Sequence, residues 1–390
     1  MYIANRKALT TTVAAVLVIV VIVIAVIGVV LAIPYLSPAK TTTTTTTITG
    51  TGSTSTITIT PSSSTTSTTS SSTTSSTQTQ QYKLALLVGG DTTDLGLNDQ
   101  GVQVANWIAS TYGWTVSVSQ DVAYSDQGAV MTTYAQEGYN VIWTDGNQFI
   151  GTTEAVAAQF PKVYFIMTPT YDGDNITKNV VALSAGNQAT GYYLAGVLSG
   201  KMTKTGSVGV VIGQWFTALS LEFYAYTAGV HASNPSAQVY LTVPGTWSDP
   251  TIGYQAAQTM INTDHVDILV PIADTTGLGV IAAATVSNTT LIGTVLDQVQ
   301  LAPTTMMTSV LLNMTAFIQP VIQHIIAGTW SQIGGQVQDL NLGSLGPYHN
   351  YANIIPTSVK LLVNQTAAGI ASGTVKVPFT YTQNPPTCPC

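Results

Sequence analysis

Between residues 41 and 80 the chain carries 32 Ser or Thr and almost no large apolar side chain. Such a segment cannot bury enough surface to offset the entropy of ordering it, so it reads as an extended stalk. Outside a cell, tracts of this kind are commonly O-glycosylated. A folded core must therefore come from the residues after Gln81. They number about 300, enough for two lobes of ordinary size.

Ahead of the stalk, residues 13–33 are free of charge. At about 1.5 Å per helical residue that run matches the roughly 30 Å hydrocarbon core of a bilayer. Arg6 and Lys7 precede it and only Lys40 follows, which places the N-terminus in the cytoplasm and the remainder outside. The run Arg6-Lys7-Ala8-Leu9-Thr10 resembles the processing site of archaeal class III, prepilin-like signal peptides. Cut or uncut, the protein keeps its anchor. The expected organisation is a processed segment at 1–8, a membrane helix at 9–36, a stalk at 37–81, a two-lobed domain at 82–380 and a tail at 381–390. Within the domain, lobe 1 is assigned 82–186 plus 304–380, and lobe 2 is assigned 187–303.

Charged residues make up 7% of the chain and Arg6 is its only arginine, so a basic nucleic-acid surface is excluded. Cys388 and Cys390, the only cysteines, have neither zinc-site spacing nor the separation of a framework disulfide, and are assigned to an exposed tail. His231, His265, His324 and His349 are dispersed without metal-ligand spacing, and there is no Gly-x-Ser-x-Gly elbow or Walker loop. Gly89-Gly90-Asp91 lacks the rest of a dinucleotide-binding fingerprint. No enzyme, cofactor or metal is expected.

After Gln81 short apolar runs alternate with helical stretches. Strands are predicted at 83–88, 114–119, 140–144 and 162–167, with helices at 98–112, 127–137 and 152–160 between them. A second series opens near Asn187, with strands at 207–212, 238–243, 266–271 and 290–295 and helices at 216–232, 251–261 and 278–286 between them. This alternation specifies parallel βαβ units, hence an α/β protein with two doubly wound, Rossmann-like lobes and a hinge. Ligands in such sheets bind beyond the carboxyl ends of the strands. The loops at 89–99, 144–151, 213–217, 244–250, 273–277 and 297–303 are thus the candidate ligand-binding segments.

These loops carry a resemblance. Asp94-Leu95-Gly96-Leu97-Asn98-Asp99, Thr190-Gly191-Tyr192-Tyr193-Leu194-Ala195-Gly196, Ala228-Gly229-Val230, Gly245-Thr246-Trp247-Ser248-Asp249-Pro250, Leu296-Asp297-Gln298 and Thr308-Ser309-Val310 occur in order. In order and spacing they resemble the signatures of the basic-membrane-protein family, the purine-nucleoside-receptor-like binding proteins of ABC importers. The resemblance implies the type I periplasmic-binding fold, a nucleoside-like small-molecule solute and an ABC permease as partner. Members usually carry an Asp two residues before the Asp-Gln pair and a Lys just after Thr-Ser-Val, where this chain has Val295 and Leu312.

Eight residues are singled out for ligand binding. Asp94 can accept from a ligand amine or hydroxyl, or brace its loop; Asn98 can offer donors and an acceptor, or cap the following helix. Asn147 and Phe149 follow a strand end, and Phe149 can stack on a planar ring or pack in the core. Trp215 and Trp247 can close an aromatic sandwich or pack the second lobe; Asp274 and Asp297 are placed for ligand or hinge contacts. The expected function is an extracellular, membrane-anchored solute-binding protein of an ABC importer. A structural surface or filament protein and a ligand-sensing receptor are the alternatives.

A chain beginning near Gln81 is expected to be soluble and to melt cooperatively without residues 1–80. A thermal melt checks it, and aggregation without a transition would show that the domain is not self-sufficient.

Overall fold

A computed structural model describes residues 54–55, 81–170, 176–184, 186–339 and 343–390. The expected processed segment, membrane helix and most of the stalk lie outside these residues. Among the described residues no helix is long and apolar enough to cross a membrane.

Two sheets form the frame. The first has the order β1-β3-β2-β4-β5-β6-β12, built from β1 (Thr54–Ser55), β2 (Lys83–Val88), β3 (Thr115–Ser119), β4 (Val141–Asp145), β5 (Tyr164–Thr170), β6 (Val180–Ser184) and β12 (Gln336–Asp339). The second has the order β13-β11-β10-β9-β7-β8, built from β7 (Ser207–Ile212), β8 (Gln238–Thr242), β9 (Ile268–Ile272), β10 (Thr290–Val295), β11 (Met306–Leu311) and β13 (Ser344–Leu345). Every pairing is parallel except those of the two-residue edge strands β1 and β13.

Each sheet is sandwiched between helices, and the period-2 alternation of its strands feeds both faces. In the first sheet Leu84, Leu86 and Val88 pack on α1 (Leu97–Tyr112) and α8 (Met314–Ile326). Ala85 and Leu87 pack instead on α2 (Gln127–Gln136) and α3 (Ile150–Ala157). In the second sheet Val208, Val210 and Ile212 face α4 (Ala189–Met202), α5 (Thr217–Ser233) and α9 (Thr357–Ala371). Val211 and Leu269 face α6 (Pro250–Thr263) and α7 (Asp274–Val286). Burying such aliphatic side chains stabilises by about 1.5–3 kcal/mol each.

Glycines let the helices of lobe 2 approach closely. A Cβ on Gly196 of α4 would collide with the Tyr226 carbonyl of α5, and one on Gly229 of α5 would collide with the Tyr193 carbonyl of α4. Gly253 of α6 and Gly279 of α7 stand in the same reciprocal relation, against the Thr276 and Pro250 carbonyls.

The expected lobe boundaries need correction. Residues 304–380 do not return as a block to lobe 1: β11 joins the second sheet, α8 and β12 join the first lobe, and β13 and α9 return to the second. The chain therefore crosses between lobes after β6, after β11 and after β12. Composition does not encode which sheet a strand joins, because buried parallel strands of either lobe read as the same apolar run.

The tail at 381–390 is not free. The Trp215 Nε1 donates to the Thr382 carbonyl (3.1 Å), and Ser220 Oγ donates to the Thr380 carbonyl (3.0 Å). Cys390 exchanges both backbone hydrogen bonds with Val239 of the edge strand β8 (2.9 and 3.1 Å), covering pairing groups that an open edge would expose. Cys388 and Cys390 form a disulfide closing a minimal loop, and both pack on the lobe 2 core.

Gly229→Ala is expected to destabilise the domain by about 1–3 kcal/mol by forcing α4 and α5 apart. Denaturant unfolding measures this; an unchanged midpoint would show that the helices can separate freely.

Candidate functional site

The carboxyl ends of both sheets converge on a cavity of about 70 Å³, and its walls come from both lobes. Two prolines shape this end of the sheets. Pro169 lies where the β5–β6 register shifts between Met167 and Thr170, and it lines the cavity. Pro271 of β9 has no N–H to donate; the β9–β10 ladder ends at Leu269↔Leu291, and Thr294 Oγ1 donates to the Pro271 carbonyl instead (2.8 Å).

Lobe 1 supplies Asp145, the last residue of β4, which is 1% exposed. Its Oδ1 accepts from Thr168 Oγ1 (2.7 Å), and that hydroxyl accepts from Trp143 Nε1 (2.6 Å). Gly146 then turns the chain at φ 136°, ψ 139°, a region open essentially to glycine, and delivers Asn147 and Gln148 to the cavity wall. Asn98, in the first turn of α1, donates from Nδ2 to Asp94 Oδ2 (2.7 Å), and its nearness favours the charged form of the Asp274 carboxyl from the opposite lobe.

Lobe 2 supplies Glu222 in the second turn of α5, Asp274 at the start of α7, Tyr192 of α4 and Trp247. The Tyr192 hydroxyl lies beside the Glu222 carboxyl and favours its charged form. Trp247 stacks on Phe216 (6.3 Å between centroids, 10° between planes) and donates from Nε1 to Gln214 Oε1 (3.1 Å). The same Oε1 accepts from the Tyr124 hydroxyl of lobe 1 (2.8 Å), so Gln214 latches the lobes together. Gln298 Nε2 adds a further tie to the Leu95 carbonyl (3.0 Å).

Burial, the largest cause, raises each carboxyl above its ordinary range. Asp145 is pushed up to about 8, with Thr168 opposing and the Asp94 charge adding. Glu222 is pushed up to about 8, with the Tyr192 bond opposing. Asp274 rises well above the usual range through burial, then through the charges of Asp94, Asp145 and Glu222. Backbone strain gathers here as well. Leu95 (φ 51°), Asp274 (φ 44°) and Val295 (φ 70°) occupy the left-handed region, at a cost of about 1–3 kcal/mol each, and Asp274 and Val295 line the cavity.

Of the eight residues singled out in the sequence, Asn98, Asn147, Trp247 and Asp274 line the cavity. Asp94 sits behind them, 1% exposed, and braces the first loop by accepting from Gly96 N, Asp99 N and Asn98. Phe149 is fully buried in the α2–α3 face of lobe 1 and does not reach the cavity. Trp215 packs edge-on against Phe223 and holds the tail. Asp297 turns away to pair with His349 Nε2 (2.7 Å), and Gln298 makes the cross-lobe bond instead. Sequence reasoning did not single out Asp145, Glu222 or Tyr192. The available signals were a carboxylate ending a buried strand and a helix whose one carboxylate, Glu222, sits among apolar neighbours Leu221 and Phe223. Val295 and Leu312, where the resemblance led one to expect Asp and Lys, also line the cavity.

The raised carboxyls set a pH dependence. In an unfolded chain these groups release their protons near pH 4, whereas folded Asp145 and Glu222 keep theirs up to about pH 8. Their contribution to stability is thus complete below about pH 4 and is lost as pH rises toward 8. The melting temperature of the ligand-free protein is expected to fall between pH 5 and pH 8, and Glu222→Gln should flatten that slope. Melts across this range check it; a wild-type melting temperature independent of pH would contradict the burial of these groups.

Comparison with known proteins agrees with this architecture. Residues 81–344 match the family described as ABC transporter substrate-binding protein PnrA-like. Basic membrane protein A of Borreliella afzelii is 24% identical over 302 residues, covering 76% of this chain and 91% of that protein. A solute-binding protein of an ABC transporter system from Aeropyrum pernix K1 superposes with a TM-score of 0.68 at 20% identity, covering 78% of this chain and 94% of that one. One from Conexibacter woesei superposes with a TM-score of 0.60 at 22% identity, covering 77% and 100%. With the match spanning both lobes, the chain belongs to the PnrA-like family of ABC transporter substrate-binding proteins.

Proposed function

We propose that this chain captures a small polar solute between its lobes on the outside of the cell and presents the closed form to an ABC permease. The N-terminal apolar helix and the Ser/Thr stalk hold it at the membrane, and a nucleoside is the solute class that the family resemblance implies. The observation that carries the reading is the cavity itself, walled from both lobes by polar side chains and Trp247, with Gln214 and Gln298 bonding across its rim. A solute touching both walls stabilises the closed lobes, and closure assembles the surface that a permease can read. Mass spectrometry of solute released from the purified protein tests this; a protein that neither carries nor binds a small solute would refute it.

Asp274→Asn and Trp247→Ala are each expected to weaken solute binding at least tenfold, by removing a carboxyl and an aromatic wall from the cavity. Tyr124→Phe, which loses only the latch to Gln214, should cost about 2- to 10-fold, since a neutral hydrogen bond contributes roughly 0.5–1.5 kcal/mol. Asp94→Ala should lower both affinity and melting temperature, because Asp94 braces the loop that carries Asn98. Titration calorimetry and thermal melts separate these outcomes.

A further inference from the structure

The cavity's hydrogen-bonding groups are unbalanced. Of its side-chain donors, Asn98 Nδ2 is engaged by Asp94, Trp247 Nε1 by Gln214 and Thr294 Oγ1 by Pro271, while the amides of Asn147 and Gln148 face the space. The buried atoms left without a partner are acceptors: Asp145 Oδ2, Glu222 Oε2 and Asn147 Oδ1, on side chains 1%, 7% and 8% exposed. All three residues line the cavity, two on the lobe 1 wall and one on the lobe 2 wall, and Asp274 adds a further carboxyl on the lobe 2 side. No Lys, Arg or His is among the lining residues.

A buried carboxylate without a donor or a counter-charge is costly, by an amount comparable to the whole worth of a hydrogen bond and more when charged. A molecule that fits this space must bring donors, and one that also brings positive charge lets these carboxyls ionise in place. We propose that the solute is an organic cation, whose protonated amine or guanidinium nitrogen lies between Asp145 on the lobe 1 wall and Glu222 and Asp274 on the lobe 2 wall. An ammonium brings three donors and a guanidinium five, neither with an acceptor to leave unpaired. The carboxyls do not stand as three ligands around one point, as a metal ion needs, but approach from opposite walls. That arrangement suits an extended cation with several donors. Leu219, Ile272, Leu312 and Trp247 supply apolar contact for its carbon skeleton. Because the carboxyls come from both lobes, a cation that bonds to them ties the two walls together. Burial raises these groups, so the cation displaces protons as it binds.

This inference rests on the solute-capture reading and selects a chemical class within it. The test titrates the full chain at pH 7 with agmatine, putrescine and spermidine, and in parallel with guanosine, inosine and ribose, by calorimetry in two buffers of different ionisation enthalpy. At least one cation is expected to bind tenfold or more tightly than every neutral solute, with net proton release. Glu222→Gln and Asp145→Asn, each checked by thermal melt, should each weaken that cation at least tenfold. Tighter binding of a neutral solute overturns the cation assignment and leaves solute capture standing. Cation binding that both folded variants leave unchanged overturns it too, by placing the charge elsewhere. Absence of binding by either set overturns the assignment and counts against the solute-capture reading, which the mass spectrometry of released solute judges independently.

Discussion

Carboxyl groups withdrawn from water at the junction of two lobes are the constraint around which this molecule is arranged. Removing a carboxylate from solvent is far more costly than a single hydrogen bond can offset, so an isolated group would turn outward or hold its proton. Asp145 is kept in place by the Thr168–Trp143 chain of hydrogen bonds, while Glu222 lies beside the Tyr192 hydroxyl and Asp274 beside Asn98 of the facing lobe. The strained backbone at Leu95, Asp274 and Val295 lies in the same place. A site that is costly in the empty state gains most when a solute supplies what is missing.

The stability that sustains this cost comes from elsewhere in the fold. Four apolar clusters, one on each face of each sheet, hold the strands whose ends carry the site. The glycine contacts between α4 and α5 and between α6 and α7 bring backbone against backbone, so α5 and α7 can present Glu222 and Asp274 from fixed positions. By contrast, the cross-lobe ties through Gln214 and Gln298 are neutral hydrogen bonds of modest worth. Rigid lobes joined by weak bonds are what hinge opening requires.

Many of the signature segments prove to be architectural. Gly196 and Gly229 serve helix packing; Asp249 caps α6 by accepting from Thr251 N and Ile252 N, with Pro250 at the first helical position. In Leu296-Asp297-Gln298 the charged residue turns to His349 while the neutral one spans the lobes. A shared signature therefore transfers the scaffold more securely than the ligand, and the cavity-lining Val295 and Leu312 are where this chain departs from the pattern.

The alternation of apolar strands with helical stretches determined the α/β class, the two parallel sheets and the end of each sheet at which ligand meets protein, because period and strand polarity are local properties. It also marked Asn98, Asn147, Trp247 and Asp274, which lie in the connections that follow strand ends. Tertiary structure alone decided the rest. Whether β11 extends the second sheet or the first depends on pairing partners distant in sequence, and so does the return of the tail to β8. Phe149 and Trp215 carry the same side chains whether they face ligand or core, and only the packing around them sends both away from the cavity. Glu222 is the one acid of its helix, where a lone acid has no local meaning. It becomes part of a site only because α4, α7 and the ends of the other lobe's strands close around it, and the free energy of a buried charge is set by those surroundings.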